Sequence, residues 1–547
     1  MKSILRLALA ALALSAAPAA AQTSAPVDLR ILAINDFHGY LRPSPGIRIS
    51  DSNDKEKKVL VPAGGSERMA TLVRELREGH KNNIFVAAGD LIGASPFLSA
   101  LFHDEPTIES MSMMGLALSA VGNHEFDEGK DELLRMQNGG CHPIDKCQGP
   151  HPFTGAKFHY LAASTIVKDT GKTLFPPYEI RTFDGIPVAF IGLTLKGTPS
   201  IISPASAAGL EFRDEAETVN AQVAELKAKG IEAIVVLIHE GGLPTGDYNE
   251  CPGISGPIVD IVKKLDKAVD IVISGHTHQA YVCNIDGRLV TSGDKYGTLV
   301  TAIDVKLDPA TRDVISAKAD NVIVRSSIAK DPEQTALLES YDKVAAPIAN
   351  RRAGTVTETL SRVPNLTGES VLGDVIADAQ LAATEDAGAV IAMTNPGGIR
   401  TDITKKGDGT VSYADVFASQ PFRNQLVTLD LTGAQIKTAL EQQWSDEKRP
   451  RILQISKGLS YGWDASKPFG EHVDATSLKL DGTPIDPART YRVTINNYLA
   501  LGGDGFAAFK SGTHARVGDY DSEALFNYFG KHSPIAAAPP VRITRVN

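Results

Sequence analysis

The sequence predicts a chain of the α/β class, a layered α/β domain followed by a smaller α/β domain. Apolar β-type runs alternate with stretches of helical periodicity from Val27 onward. Several of those runs end in short polar turns rich in Asp, Asn and His, where α/β sheets present their chemistry. The chain has 547 residues, 43% hydrophobic and 22% charged, and a single core stops growing at roughly 250–300 residues. More than one domain is therefore required.

Taken in order, Lys2 and Arg6 precede an apolar run over residues 7–14, and Ala19-Ala20-Ala21 offers a small-residue cleavage site. Residues 1–21 read as an export leader, too short for the roughly 20 residues of a membrane span. A retained N-terminal anchor is the alternative. Residues 29–34 form a strand that delivers Asn35 to Gly39. Residues 66–78 carry Met69, Leu72, Val73 and Leu76 at helical spacing, with Ser66 as N-cap. Residues 83–88 form a strand that delivers Gly89-Asp90, residues 107–118 a helix, and Ala120-Val121 leads into Gly122-Asn123-His124-Glu125-Phe126-Asp127. Further apolar runs at 187–193, 233–238 and 268–273 follow. The second delivers His239, and the third Gly275-His276-Thr277-His278. Residues 27–325 make the first domain, 331–352 a linker helix, and 355–547 the second domain. In the latter, helices are expected at 373–383 and 434–444, and strands at 389–394 and 425–431.

The four cysteines are even in number. Cys141 and Cys147 bracket a short closure and Cys251 then pairs with Cys283, as suits an oxidising compartment; a thiolate zinc site is the alternative. A formal net charge of −10 excludes a nucleic-acid binder working by bulk electrostatics. An anionic substrate needs local cations.

The polar turns supply donors for such cations. Asp36, His38, Asp90, Asn123, His239, His276 and His278 offer oxygen and nitrogen without thiolate, a set that suits Zn, Mn, Fe, Co or similar divalent ions. Each has a plainer reading alone: a hydrogen-bonded structural histidine, or Asp90 as a helix cap. Five of the thirteen histidines fall in these turns, and their order along the strands favours one site. Asp127 is placed to hold the imidazole of His124, although it could instead be helix N-terminal charge.

Asp-x-His, Gly-Asp, Gly-Asn-His-Glu-Phe-Asp, a lone His and Gly-His-x-His resemble the calcineurin-like metallophosphoesterases. Within them the chain is similar to the secreted 5′-nucleotidase, UDP-sugar hydrolase and 2′,3′-cyclic phosphodiesterase family. The resemblance implies a four-layer α/β/β/α metallophosphoesterase domain and a substrate-binding second domain. It implies two divalent metals, one held by Asp36, His38, Asp90 and His278, the other by Asp90, Asn123, His239 and His276. His278 stands where relatives commonly have Gln or Asn. Two cations about 3.5–4 Å apart acidify a shared water for in-line attack on phosphorus, with His124 as acid and Asp127 as its partner.

In the second domain, Asn395-Pro396-Gly397-Gly398-Ile399-Arg400 follows a strand, its glycines allowing close approach and Arg400 offering a planar cation for phosphate. Phe422 and Tyr498 are aromatics able to sandwich a flat base, and Asp504 a carboxylate for ribose hydroxyls. The resemblance gives Phe422 and Tyr498 as the base-stacking pair and Asn395, Arg400 and Asp504 as substrate contacts. It also calls for one more phosphate-facing arginine, for which Arg362 is the candidate. The expectation is a periplasmic or secreted nucleotide phosphohydrolase with a small-molecule substrate, no nucleic-acid polymer and no membrane insertion after cleavage. The linker helix is expected to let the two domains close on that substrate. A thiosulfohydrolase-like enzyme on the same scaffold and a non-catalytic nucleotide-binding protein are the alternatives.

Overall fold

Alternation along single strands sets the layers. The computed structural model describes residues 25–547 except 45, 52, 53, 55, 56, 447 and 448; the leader expected over 1–21 lies outside them. The first sheet has the order Val314–Ile323, Leu299–Leu307, Val27–Ile34, Asn83–Ala87, Leu118–Ala120, His159–Leu161. The second runs Ala280–Ile285, Arg288–Gly293, Ile271–Ser274, Ala233–His239, Ile186–Thr194, Tyr178–Phe183. Successive strand residues face opposite sides. In Val27–Ile34, Leu29, Ile31 and Ala33 enter a core shared with Val188, Val235 and Ile271 of the other sheet. Leu32 and Ile34 instead pack on Met69, Leu72 and Val73 of the helix Ser66–Arg77. On the far side, Ala189, Ile191 and Leu193 meet Val219, Val223 and Leu226 of the helix Glu215–Ala228. The first domain is thus four layers, α/β/β/α.

Strands buried on both faces read as continuous apolar runs, and every residue of Ile186–Thr194 and Ala233–His239 is buried. Each such aliphatic side chain contributes about 1.5–3 kcal/mol on burial, so register is firmly held.

The second domain is built on a five-stranded sheet of order Gln454–Ile455, Ile391–Thr394, Thr490–Asn496, Gln425–Thr432, Thr513–Tyr520. Ile436, Ala439 and Leu440 of the helix Gly433–Glu441 pack on Met393, Leu429 and Leu431. Between the domains runs the helix Pro332–Ala349, whose N-cap Asp331 accepts from Glu333 N and Gln334 N. Its Leu337, Tyr341 and Ala345 pack with Phe97 and Phe102 of the first domain and Phe417 of the second.

Some boundaries differ from expectation. Ser66 is not an N-cap: Gly65, at φ 92°, holds that place, and the Ser66 hydroxyl donates to Leu41 O at 3.2 Å. The helix expected over 107–118 is Glu105–Met113, stopped before Gly115 at φ 72°, and Leu118 opens the next strand. The linker helix ends at Ala349, and Arg352 begins the strand Arg352–Thr355. The structure joins Cys141 to Cys147 and Cys251 to Cys283, which fits an extracytoplasmic compartment. Among the described residues no helix is long and apolar enough to cross a membrane.

Candidate active site

The C-terminal ends of Val27–Ile34, Asn83–Ala87, Leu118–Ala120, Ala233–His239 and Ile271–Ser274 meet at one edge of the two sheets and bring the seven expected donors together. A ligand atom from each of Asp36, His38 and His278 falls within a 4.8 Å cluster, and so does one from each of Asp90, His239 and His276. Asp90 Oδ2 lies 3.0 Å from His239 Nε2 and 3.6 Å from His38 Nε2, reaching both clusters. Asn123 Oδ1 is 3.1 Å from His276 Nδ1. Asp36, Asp90, His38 and His239 are at most 1% exposed.

Backbone strain aims these groups. Asp36 (φ 49°), His38 (47°), Asp90 (51°), His276 (68°) and His278 (54°) all occupy the left-handed region. Each such residue costs about 1–3 kcal/mol and persists only where surrounding bonds over-determine it. Those bonds are present. Asp36 N donates to Gly89 O and His38 N to Asp90 O, both at 3.0 Å. Asn35 Nδ2 (2.7 Å) and His276 N (2.9 Å) donate to Asp36 Oδ2. His124 N donates to Asp90 Oδ1 at 2.9 Å, and no helix begins at Asp90 itself.

The donor set fits divalent cations. His38 Nδ1 donates to Gly93 O at 2.9 Å and His239 Nδ1 to Ala88 O at 2.8 Å. A carbonyl only accepts, so in the neutral ring each Nε2 carries the lone pair and faces the cluster, the arrangement of a metal-ligating histidine with its outer partner. His38 Nε2 and His278 Nε2 point at each other across 3.1 Å. His239 Nε2 is buried with no hydrogen-bond partner, and Asp90 Oδ2 stands 3.0 Å from it. Burial opposes protonation of His239, but the Asp90 carboxylate outweighs it and pushes the group up to about 10. Negative charge that draws a proton this strongly draws a cation too.

Beside the cluster, His124 Nδ1 and Asp127 Oδ2 are 2.8 Å apart. Burial disfavours the imidazolium, yet Asp127 and then Asp90 raise His124 above its ordinary value. The ring of Phe422, from the second domain, stacks on His124 at 5.9 Å and 23°, and the Arg400 guanidinium lies 5.7 Å over the same Phe422 ring. Arg362 Nη1 donates to Ile399 O at 2.9 Å, which sets it beside Arg400. Burial, then Tyr296, raises the Tyr40 hydroxyl above its ordinary value, and the two guanidiniums act against them. A separate group is formed by Asn395, Tyr498 and Asp504: Asn395 Nδ2 donates to Asp504 Oδ2 at 2.8 Å and the Tyr498 hydroxyl to Asp504 Oδ1 at 3.0 Å. The Asp504 carboxylate is therefore already bonded within the protein.

Sequence reasoning missed several neighbours. Tyr40 and Tyr296 stack at 3.8 Å, with Tyr296 edge-on to His278 at 5.6 Å. Glu125 lies between two ligand-bearing turns; burial, then the Asp90 charge, raises its carboxyl above the ordinary range, against the backbone N–H groups that favour the carboxylate. Its place in the Gly-Asn-His-Glu run was the available signal. A cavity of about 390 Å³ adjoins His124 and Asp127, lined also by His103, Asp145, Phe422 and Arg423. There His103 sits between Glu128 Oε2 (2.8 Å) and Asp145 Oδ2 (2.9 Å), with the His142 ring stacked on it and Arg423 reaching Asp145 at 3.4 Å.

Burial works against charging His103, but Glu128, Glu132 and Asp145 raise it. Its stabilising contribution is then complete below about 6.5, the ordinary histidine value, and is lost as pH rises through the raised value. The melting-temperature gap between the parent and His103→Gln is expected to narrow from pH 6 to pH 9; a gap that widens or stays level shows that these pairs do not act as described.

Residues 29–280 match the model for calcineurin-like phosphoesterases, and residues 352–511 the model for the 5′-nucleotidase C-terminal domain. The chain is 35% identical over 476 residues to endonuclease YhcR of Bacillus subtilis, covering 87% of this chain but only 37% of YhcR. It is 33% identical over 547 residues to the cell wall protein Lmo0130 of Listeria monocytogenes, covering 94% of this chain and 68% of that one. The crystal structure of a 5′-nucleotidase precursor from Thermus thermophilus matches with a TM-score of 0.75 at 27% identity, over 95% of this chain and 99% of that one. On both halves of its length and on its buried donor clusters, the chain belongs to the 5′-nucleotidase family of metal-dependent phosphoesterases.

Proposed function

We propose that the protein is an exported nucleotide phosphohydrolase, converting nucleoside 5′-monophosphates to nucleoside and phosphate. One observation carries this reading: Phe422 of the second domain stacks on His124 at the edge of the donor clusters, with Arg400 over the same Phe422 ring. A flat base and an anionic phosphate would both find partners there. Asp36, His38, Asp90 and His278 would hold one divalent ion, and Asp90, Asn123, His239 and His276 the other. When bound, such ions supply charge to phosphoryl oxygens and make water acidic enough to attack.

The chain's own residues do the rest. Asp127 holds the proton on His124 Nδ1, leaving Nε2 to donate to the leaving oxygen. Arg400 and Arg362 bind phosphoryl oxygens. Phe422 and Tyr498 take the base, and Asn395 with Asp504 orients Tyr498 and meets the ribose. Residues 27–325 and 355–547 act as catalytic and substrate domains joined by 331–352, with periplasm or exterior as the place of action. Closure of the domains would bring substrate to His124, and the packing of Phe97, Phe102, Leu337, Tyr341 and Phe417 is the joint available for it.

The similarity to an endonuclease supports a second reading, cleavage of nucleic-acid phosphodiesters. The deciding experiment measures phosphate, sulfate or fragment release from AMP, UMP, UDP-glucose, 2′,3′-cyclic AMP, single-stranded DNA, RNA and a cysteine S-thiosulfonate, with and without chelator. The expected result is chelator-sensitive phosphate release, fastest from 5′-monophosphates. Preferred cutting of polymer establishes the second reading. Turnover of the thiosulfonate alone, or tight nucleotide binding with no turnover, removes both.

A further inference from the structure

We infer that Glu125 is a positioning residue for the dinuclear centre, fastening the turn that carries Asp90 to the turn that carries Asn123; this rests on the metal assignment proposed above. Glu125 is 3% exposed. It accepts from Asp90 N at 2.9 Å and Gly122 N at 2.6 Å on Oε2, and from Leu91 N at 2.7 Å on Oε1. Two of these donors follow the strand Asn83–Ala87 and the third follows Leu118–Ala120. In return, His124 N donates to Asp90 Oδ1 at 2.9 Å. The four bonds close a ring through both turns. One Asp90 oxygen is occupied inside that ring, and the other, Oδ2, is left facing His38 and His239.

The turns touch backbone to backbone. A Cβ on Gly122 would collide with the Asp90 carboxylate, and one on Gly89 would come within 2.7 Å of Gly122 N. Little slack remains, so a change at Glu125 moves both turns together. The ring also over-determines the φ of 51° at Asp90, a conformation that would otherwise relax. Chemistry explains the residue type. Three converging N–H groups need two accepting oxygens, and a carboxylate has two while an amide has one. Placing it beside Asp90 sets two carboxylates close together in a buried site, an arrangement disfavoured by charge repulsion and desolvation. The bonds to these turns are what it gains.

Glu125→Gln keeps the shape and two of the three bonds but sets an NH2 against Leu91 N–H. Glu125→Asp keeps the charge but is one methylene short of spanning both turns. The full chain and both variants are titrated with Mn(II), reading stoichiometry, affinity and the electron paramagnetic resonance of the spin-coupled pair, with melting under chelator alongside. Outer-ligand changes cost about 10–100-fold in metal affinity. We expect a loss of that size in both variants, the coupled signal giving way to isolated Mn(II), and a lower kcat with KM little changed. Chelated Glu125→Gln should melt near the chelated parent. Two Mn(II) bound at parental affinity with the parental coupled spectrum, in either variant, overturns the inference. An inactive parent that still shows the coupled pair defeats the nucleotide reading and leaves this one standing.

Discussion

Replacing Asp90 with alanine is expected to strip both metals together and to lower turnover by more than about a thousandfold, since losing even one preorganised catalytic donor costs 10²–10³. Asp90 has this reach because its Oδ2 stands 3.0 Å from His239 and 3.6 Å from His38, ligand candidates in different clusters. Among the ligand candidates, His278 by contrast approaches Asp36 and His38 of one cluster, so His278→Ala should weaken one ion and spare the other. Stability gives an independent readout. A bound ion at 100 times its dissociation constant adds about 2.7 kcal/mol to the folded state. The parent should therefore lose several degrees of melting temperature on chelation, while Asp90→Ala should melt alike with and without chelator. Asp90→Asn separates charge from packing, because its amide oxygen still accepts from His124 N. Should Asp90→Ala retain two ions per chain by elemental analysis, the shared-ligand assignment fails.

How far the sequence leads depends on whether position or direction is asked for. The layers were legible because the hydrophobic pattern carries them. Leu29, Ile31 and Ala33 alternate with Leu32 and Ile34, and the two faces belong to two cores. The donors were legible because each follows an apolar run. Direction was not. Five donors take left-handed φ values; Asp and His are enriched there, but most Asp and His residues lie elsewhere, and only the bonds between turns that are far apart in sequence fix these five. Glu125 was passed over because a carboxylate in a helix-initiating turn has a plain local explanation. Its three backbone donors include two from residues 34 and 35 positions away, a separation that periodicity does not report. The second domain shows the same division. The rings Phe422 and Tyr498 stood out as aromatics in loops, yet Phe422 stacks on His124 of the other domain, while the Tyr498 hydroxyl is bonded to Asp504.

His124→Ala is expected to keep both metals and lose about 10²–10⁴ in kcat, the range for removing a general acid. With Asp127 Oδ2 2.8 Å from Nδ1, the ring is oriented and its proton held. Burial works against that proton, and Asp127 followed by Asp90 outweighs it. Bound cations act in the opposite sense, so the useful comparison is between variants at equal metal occupancy. An acid must be protonated to act. The rate should fall as pH rises through the His124 value, and Asp127→Asn, which removes the leading charge raising that value, should move the alkaline limb to lower pH. Leaving-group chemistry tests the role itself. A nucleoside oxygen needs a proton as it departs, whereas a p-nitrophenolate does not. The defect in His124→Ala should therefore be large for AMP and shrink for a p-nitrophenyl phosphate ester. An equal defect on both substrates, with metals retained, would move His124 from the leaving oxygen to the phosphoryl oxygens. There its charge is needed whatever departs, and the Asp127→Asn shift would persist.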